Sequence, residues 1–210
     1  MKGLFISFEG PEGVGKSTQI KLLTEKLEAM DKEVVLTREP GGTRLGEAVR
    51  NILQHDAAGD VVSDHAELLL FAACRAQLVD TLIRPAIDEG KVVLCDRFYD
   101  STMAYQGYGR GLDKDAINSL RDLAVQDVHP NLTFLMDMPI EVAMQRARAR
   151  SANGNLDRIE RESMEFHGKV AEGFRAIAAE HNDRFVCINA EASIDHNASQ
   201  IWSAVRDRLS

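Results

Sequence analysis

The 210-residue sequence has little that would staple it, anchor it or coat a polyanion with it. Its cysteines are only three, Cys74, Cys95 and Cys187, widely spaced and with no C-x-x-C pair. That excludes a disulfide framework and a thiolate metal site. In their apolar settings all three are expected to be small buried core residues. No apolar run approaches the ~20 residues of a membrane span, so no membrane partner is expected. A secretory h-region is missing too, because Glu9, Glu12 and Lys16 break the N-terminal apolar stretch, and the expected location is cytoplasmic. Positive charge is in deficit: Lys plus Arg number 25 against 33 Asp plus Glu, a formal net charge of −8. A protein that coats DNA or RNA needs a basic face, so nucleic acid is excluded as a partner. A small anionic ligand is not excluded, since a local basic pocket can sit on an acidic surface. There is no repeat, no low-complexity stretch and no linker, so residues 1–210 are expected to form a single domain. With 44% hydrophobic and 28% charged residues, the chain is not of the disordered class.

What is present is an alternation of strand and helix from end to end. Leu4 to Phe8, Val34 to Leu36, Val92 to Cys95, Leu132 to Met136 and Phe185 to Ile188 are short apolar runs that read as strands. Between them, apolar residues step by three and four. Ile20, Leu23, Leu27 and Met30 form one such stripe, and Ile201, Val205 and Leu209 another. The stretch Asp64 to Arg84 predicts one long, mostly buried helix, capped by Asp64 and kinked late by Pro85. Ala116 to Val125, Ile140 to Arg150 and Ser163 to His181 are also helical in pattern, and Ser151 to Asn155 is a polar loop. Runs of this kind predict an α/β fold: a five-stranded parallel sheet with helices on both faces.

The strongest chemical signal is Gly10-Pro11-Glu12-Gly13-Val14-Gly15-Lys16-Ser17, followed by Thr18. It matches G-x-x-x-x-G-K-S, and it follows a strand and opens a helix as that motif requires. A chance match in a chain this long has a probability on the order of 1%. The glycines let successive backbone N–H groups point inward at phosphate oxygens, and the helix N-terminus adds positive potential. Lys16 can reach the β- and γ-phosphates of ATP, and the Ser17 hydroxyl can ligate Mg²⁺. A GTPase would need a guanine-reading N-K-x-D. The nearest fragment, Asp113-Lys114-Asp115, follows Leu112 instead.

Two further strand ends deliver cations to the same edge. The third strand ends in Asp96-Arg97-Phe98, where Asp96 can hold the hydration shell of Mg²⁺ and Arg97 can face an acceptor phosphate. The second ends in Thr37-Arg38-Glu39-Pro40-Gly41-Gly42, which places Arg38 beside Arg97 and Lys16. Three strand ends aiming one cation each at one place suit a reaction between two phosphates. On a helix, Phe71 and Arg75 share a face; either they stack on and donate to a flat ring, or one is core and the other a solvated charge. Ser101, Thr102, Tyr105 and Gln106 form a polar cluster over a helical turn, unremarkable by itself.

Taken together, EGPEGVGKST, TREPGG, LLFAACRAQ, DRFYDSTMAYQG and RARAR…LDRIE, in this order and at these spacings, resemble the bacterial thymidylate kinase family over nearly the whole chain. The resemblance implies a P-loop nucleoside-monophosphate kinase with a mobile lid at about residues 146–160. It implies Mg²⁺-ATP as donor, dTMP as acceptor, and a homodimer packed through long helices. It also implies roles for single residues. Phe71 would stack on thymine, Arg75 donate to a thymine carbonyl, and Thr102 meet the base N3–H. Arg38 and Arg97 would hold the acceptor phosphate. Tyr105 would crowd the position of a ribose 2′-OH, and Ser101 and Gln106 would line the same pocket. The phosphate loop carries no arginine, so the transition-state cation is expected from Arg146, Arg148, Arg150 or Arg158. Arg150 is the chosen one, because it abuts the Ser151–Asn155 loop. The acceptor is a phosphate monoester, mostly dianionic at neutral pH, and needs no general base. The six histidines are accordingly read as structural or surface residues.

Overall fold

The computed structural model of the chain describes residues 3–55, 59, 61–150 and 157–209. The expected loop Ser151–Asn155 lies outside them, as does the Arg150 side chain. Strands β1 (Leu4–Glu9), β2 (Val34–Arg38), β3 (Val92–Asp96), β4 (Leu132–Asp137) and β5 (Phe185–Asn189) form one sheet in the order β2-β3-β1-β4-β5. Every pairing is parallel, as the apolar runs predict. Alternate residues serve opposite faces. Ile6, Phe8 and Leu94 pack with Leu23 and Leu27 of helix α1 (Lys16–Glu28) and Ile201 and Val205 of the last helix. Phe5, Val93 and Cys95 pack instead under Leu78, Val79 and Ile83. Met30 falls outside α1 and is half exposed, so the α1 stripe ends at Leu27.

Helices α2 (Arg44–His55) and α3 (Asp64–Leu78) follow β2. Ser63, not Asp64, caps α3, its hydroxyl accepting from the Ala66 N–H at 3.4 Å. Asp64 is the first helical residue, where its charge still favours the helix N-terminus. The expected helix to Arg84 is continuous in backbone conformation, but its hydrogen-bond ladder changes near its end. A π-helical turn spans Val79–Ile83, and α4 (Arg84–Asp88) starts with Pro85 in its first turn. Pro85 has no N–H to give to the ladder, and the wider π-helical turn lies immediately before it. After β3 come α5 (Tyr99–Thr102), a second π-helical segment Met103–Gly109, and α6 (Lys114–Val125). The last helices are α7 (Ile140–Arg150), α8 (Met164–Glu180) and α9 (Ile194–Leu209). Cys74 and Cys95 are buried as expected, but Cys187 is exposed, because β5 is an edge strand and its alternate residues are uncovered.

Register places the sheet's functional edge. Phe8 and Arg38 both pair with Asp96, so the ends of β1, β2 and β3 stand level. This is the carboxyl edge of a parallel sheet, at β1, where the order of the strands passes from one side to the other and where such folds bind ligands.

Candidate functional site

A cavity of about 560 Å³ opens over that edge. Its floor is the loop between β1 and α1. Gly13 and Gly15 hold φ of 77° and 90°. A side chain on Gly13 would come within 2.2 Å of the Ala143 carbonyl, so this loop is seated directly on α7. Lys16 is buried and donates to the carbonyls of Gly10 at 3.2 Å and Pro11 at 2.8 Å. Burial and neighbouring Arg97 lower its pKa, against Glu12, Asp96 and Glu9. Ser17 Oγ lies 3.4 Å from Asp96 Oδ2. Thr18 also lines the cavity, whereas Gly10, Pro11 and Val14 shape the loop from below, Val14 as a core residue.

Arg97 has an unusual backbone for a non-glycine residue, with φ of 71°. Such a conformation costs on the order of 1–2 kcal/mol and is held by its surroundings. Its N–H donates to the Phe8 carbonyl, and Glu9 grips the next residues. Glu9 accepts from the Phe98 N–H at 2.7 Å and from Ser101 Oγ at 2.5 Å. Burial, and secondarily Asp100, push the Glu9 pKa up to about 8, against Ser101, Arg97 and Phe98. The Arg97 guanidinium donates to the Gly10 carbonyl at 2.7 Å, to Ser101 Oγ at 3.2 Å and to Glu12 at 2.5 Å. It also lies 5.2 Å above the Tyr105 ring. Burial opposes its charge, but Tyr105, Glu12, Asp96 and Glu9 hold it firmly protonated. Arg38 is half exposed and forks onto Glu47 at 3.0 and 2.9 Å.

The far wall carries Phe71, Arg75, Thr102, Tyr105 and Gln106. Arg75 is neither solvated nor loose. It is 2% exposed, and its Nε and Nη2 donate to Glu39, the latter at 2.6 Å. Nη2 also donates to Thr102 Oγ1 at 2.8 Å. Glu39 is buried, which raises its pKa, and Arg75 opposes that rise. Tyr105 is pinned between Arg97, Phe166 and Phe174. Burial pushes its phenol pKa up. Gln106 is buried and donates to Glu67 at 2.6 Å.

All the expected acceptor-side residues therefore reach one cavity: Arg38, Phe71, Arg75, Arg97, Ser101, Thr102, Tyr105 and Gln106. The basic cluster of α7 divides. Arg146 lines the cavity, donating to the Ala190 carbonyl at 3.3 Å, and Arg148 does not line it. Arg158 does not line the cavity either. It donates to Glu67 and, at 2.9 Å, to the Leu53 carbonyl. Sequence reasoning missed the buried acids Glu9, Glu39 and Glu67, and also Arg50, which donates to the Pro40 carbonyl at 2.8 Å. It also passed over His167. That side chain is buried and lines the cavity, and its Nε2 has no hydrogen-bond partner among the described residues.

Three comparisons bear on this arrangement. The family profile described as Thymidylate kinase matches residues 8–201. A curated thymidylate kinase of a Synechococcus species is 50% identical over 206 residues, covering 98% of this chain and 96% of that one. One of a Geobacter species is 46% identical over 210 residues, covering 99% and 93%. Among solved structures, the crystal structure of thymidylate kinase from Ehrlichia chaffeensis superposes with a TM-score of 0.79 at 37% identity, covering 98% of this chain and 99% of that one.

Proposed function

Since this chain belongs to the thymidylate kinase family, we propose a division of labour among its cavity residues for the reaction that family performs. The reaction itself is the transfer of the γ-phosphoryl group of ATP to dTMP, giving dTDP and ADP. The single observation that carries the assignment of residues is convergence. Lys16, Arg38 and Arg97 arrive from three neighbouring strand ends on one cavity, whose far wall carries an aromatic ring and a fixed guanidinium.

Lys16 and the N–H groups of the loop from Gly10 to Thr18 hold the donor phosphates. Arg97 and Arg38 hold the acceptor phosphate. Both are engaged by carboxylates in the free protein, Glu12 and Glu47, so binding the dianion exchanges one anion for another around each guanidinium. Ser101 shares the pocket with them. Phe71 stacks on the base, Arg75 donates to a base carbonyl, Thr102 meets N3–H, Gln106 lines the pocket, and Tyr105 fills the space a 2′-hydroxyl would need. No general base is assigned, because the acceptor is already anionic near neutral pH. The rate then comes from alignment and charge neutralisation. A cation from the segment 146–160 completes the neutralisation as that segment closes as a lid, and Arg150 is assigned to it.

Magnesium fits this site. Among the described residues no group of three or more His, Cys, Asp or Glu could cage a metal. Ser17 and Asp96 instead offer two adjacent oxygens at the phosphate loop, a set that suits an ion carried in by a nucleotide. Such an ion would draw charge from the β- and γ-oxygens. We assign the whole chain, 1–210, to one domain, place it in the cytoplasm, and propose a homodimer. Support for the dimer comes from exposed Leu69 of α3 and Leu45 of α2, both about half exposed.

A panel of nucleoside monophosphates offered with ATP and Mg²⁺ tests the assignment. dTMP should be the preferred acceptor. A hundredfold better use of another monophosphate would overturn the base-pocket roles.

A further inference from the structure

We propose that Glu67 is a positioning residue for base selection: by holding the Gln106 amide one way round, it makes the pocket reject a base bearing an amino group at the edge it reads. This rests on the placement of the base between Phe71 and Arg75 given above.

Glu67 does not line the cavity; Gln106 does. Glu67 is fully buried, and its carboxylate is crowded with donors. Gln106 Nε2 donates to Oε1 at 2.6 Å, and Arg110 donates to both oxygens at 3.3 Å. Arg158 donates to Oε2. Burial disfavours the charge, but the bonds from Arg158, Gln106 and Arg110 outweigh it and hold the pKa below the usual carboxylate value. The group is therefore ionised at neutral pH and is an acceptor only.

An acceptor-only neighbour decides the orientation of an amide. Gln106 must turn its NH₂ toward Glu67, which leaves Oε1 as its other face. Oε1 makes no hydrogen bond to a described residue. The same logic fixes Arg75. Its Nε and Nη2 are consumed by Glu39 and Thr102, and its Nη1 makes no hydrogen bond to a described residue. The pocket thus presents a fixed acceptor, Gln106 Oε1, and a fixed donor, Arg75 Nη1. Thr102 meets the same N3 edge beside Gln106 Oε1 but does not select, because its hydroxyl, which accepts from Arg75, can turn to donate to or accept from the base.

A pyrimidine with N3–H and a 4-oxo group is complementary to such a pair. A 4-amino pyrimidine is opposed twice: its N3 is an acceptor and its exocyclic nitrogen a donor. Leaving buried polar groups unpaired is what gives large discrimination, far more than a methyl group can. Glu67 supplies half of it by denying Gln106 the alternative rotamer.

The test compares kcat/KM for dTMP and dCMP in the full-length protein and in Glu67→Gln, Gln106→Leu and the double variant. A glutamine at position 67 can donate as well as accept, so the Gln106 amide is freed to turn. The dTMP/dCMP ratio should fall at least tenfold in Glu67→Gln, chiefly through a higher KM for dTMP, with KM for ATP unchanged. Gln106→Leu should lower the ratio similarly, and the double variant should lower it no further. A ratio unchanged in Glu67→Gln, or falls that multiply in the double variant, would overturn the proposal. Failure of the wild type to prefer dTMP would instead overturn the base-pocket reading beneath it. Should Glu67→Gln not fold, hydrogen exchange of the Gln106 side-chain amide in the wild type decides. Slow exchange supports the clamp, and exchange as fast as a surface glutamine's defeats it.

Discussion

Single residues in this cavity are fixed by their neighbours, some of which do not line it. Glu9 is the clearest case, a carboxyl under the turn that carries Arg97. Its pKa is about 8 in the fold, against an ordinary 4.5. Between those values the native chain keeps a proton that the unfolded chain has released. Stability therefore falls as pH rises through that window, by about 1.4 kcal/mol per unit at most. Below about 4.5 both states are protonated, and above about 8 the loss is complete. Glu9→Gln should flatten this slope, which thermal unfolding of both proteins from pH 5 to 9 will measure. Equal slopes would mean that Glu9 is ionised throughout. Tyr105 is fixed differently, by Arg97 and two phenylalanines around its ring. If the ring excludes ribonucleotides by bulk, Tyr105→Phe should keep the preference for dTMP over its ribose counterpart and Tyr105→Ala should relax it. Competition kinetics with the two monophosphates is the check, and equal ratios in the two variants would remove the steric role.

At the scale of elements, periodicity carried the reading where one apolar face meets one partner. All five strands and most helices were legible for that reason. The π-helical turns at Val79–Ile83 and Met103–Gly109 were not. A change from i→i+4 to i→i+5 hydrogen bonding shifts the ladder without erasing the apolar stripe, so the sequence pattern barely records it. Site cations at strand ends were legible too, because β1, β2 and β3 end level. The buried acids were not. Glu67 follows Ala66 and precedes Leu68, and only burial separates such a residue from an ordinary surface charge. Arg158 illustrates the same limit: its motif was found, but its partner, Glu67, lies 91 positions away. The phosphate loop rests on α7, the helix that leads into segment 146–160, so the two should act together. Arg150→Lys is expected to lower kcat by at least ~10² with dTMP affinity nearly unchanged, since a lysine cannot reproduce a two-oxygen fork. Steady-state kinetics of the Arg146, Arg148, Arg150 and Arg158 lysine variants will assign the role. If all four stay within about threefold of wild type, the lid cation is wrong.

At the scale of the whole molecule, two exposed leucines stand on helices and do not line the cavity. Leu69 is 55% and Leu45 48% exposed, both on the paired helices α2 and α3. If this face joins two copies, Leu69→Glu should shift the protein toward monomer, with sedimentation velocity as the readout. A wild type that sediments as a monomer would sink the dimer. The order of the sheet carries a last consequence, for heredity rather than chemistry. All the residues assigned to the acceptor fall between Arg38 and Gln106, one unbroken stretch of chain that ends past β3. The phosphate loop precedes that stretch, and α7 with the arginines of its last turns follows it. A gene for such a protein could exchange its acceptor by recombination at two points, leaving the phosphate loop and α7 in place, provided the incoming segment kept Asp96 beside Ser17. The seams that an incoming segment would have to match include Glu9 beneath Ser101, Glu12 and the Gly10 carbonyl against Arg97, Arg110 and Arg158 against Glu67, and Arg184 against Asp100.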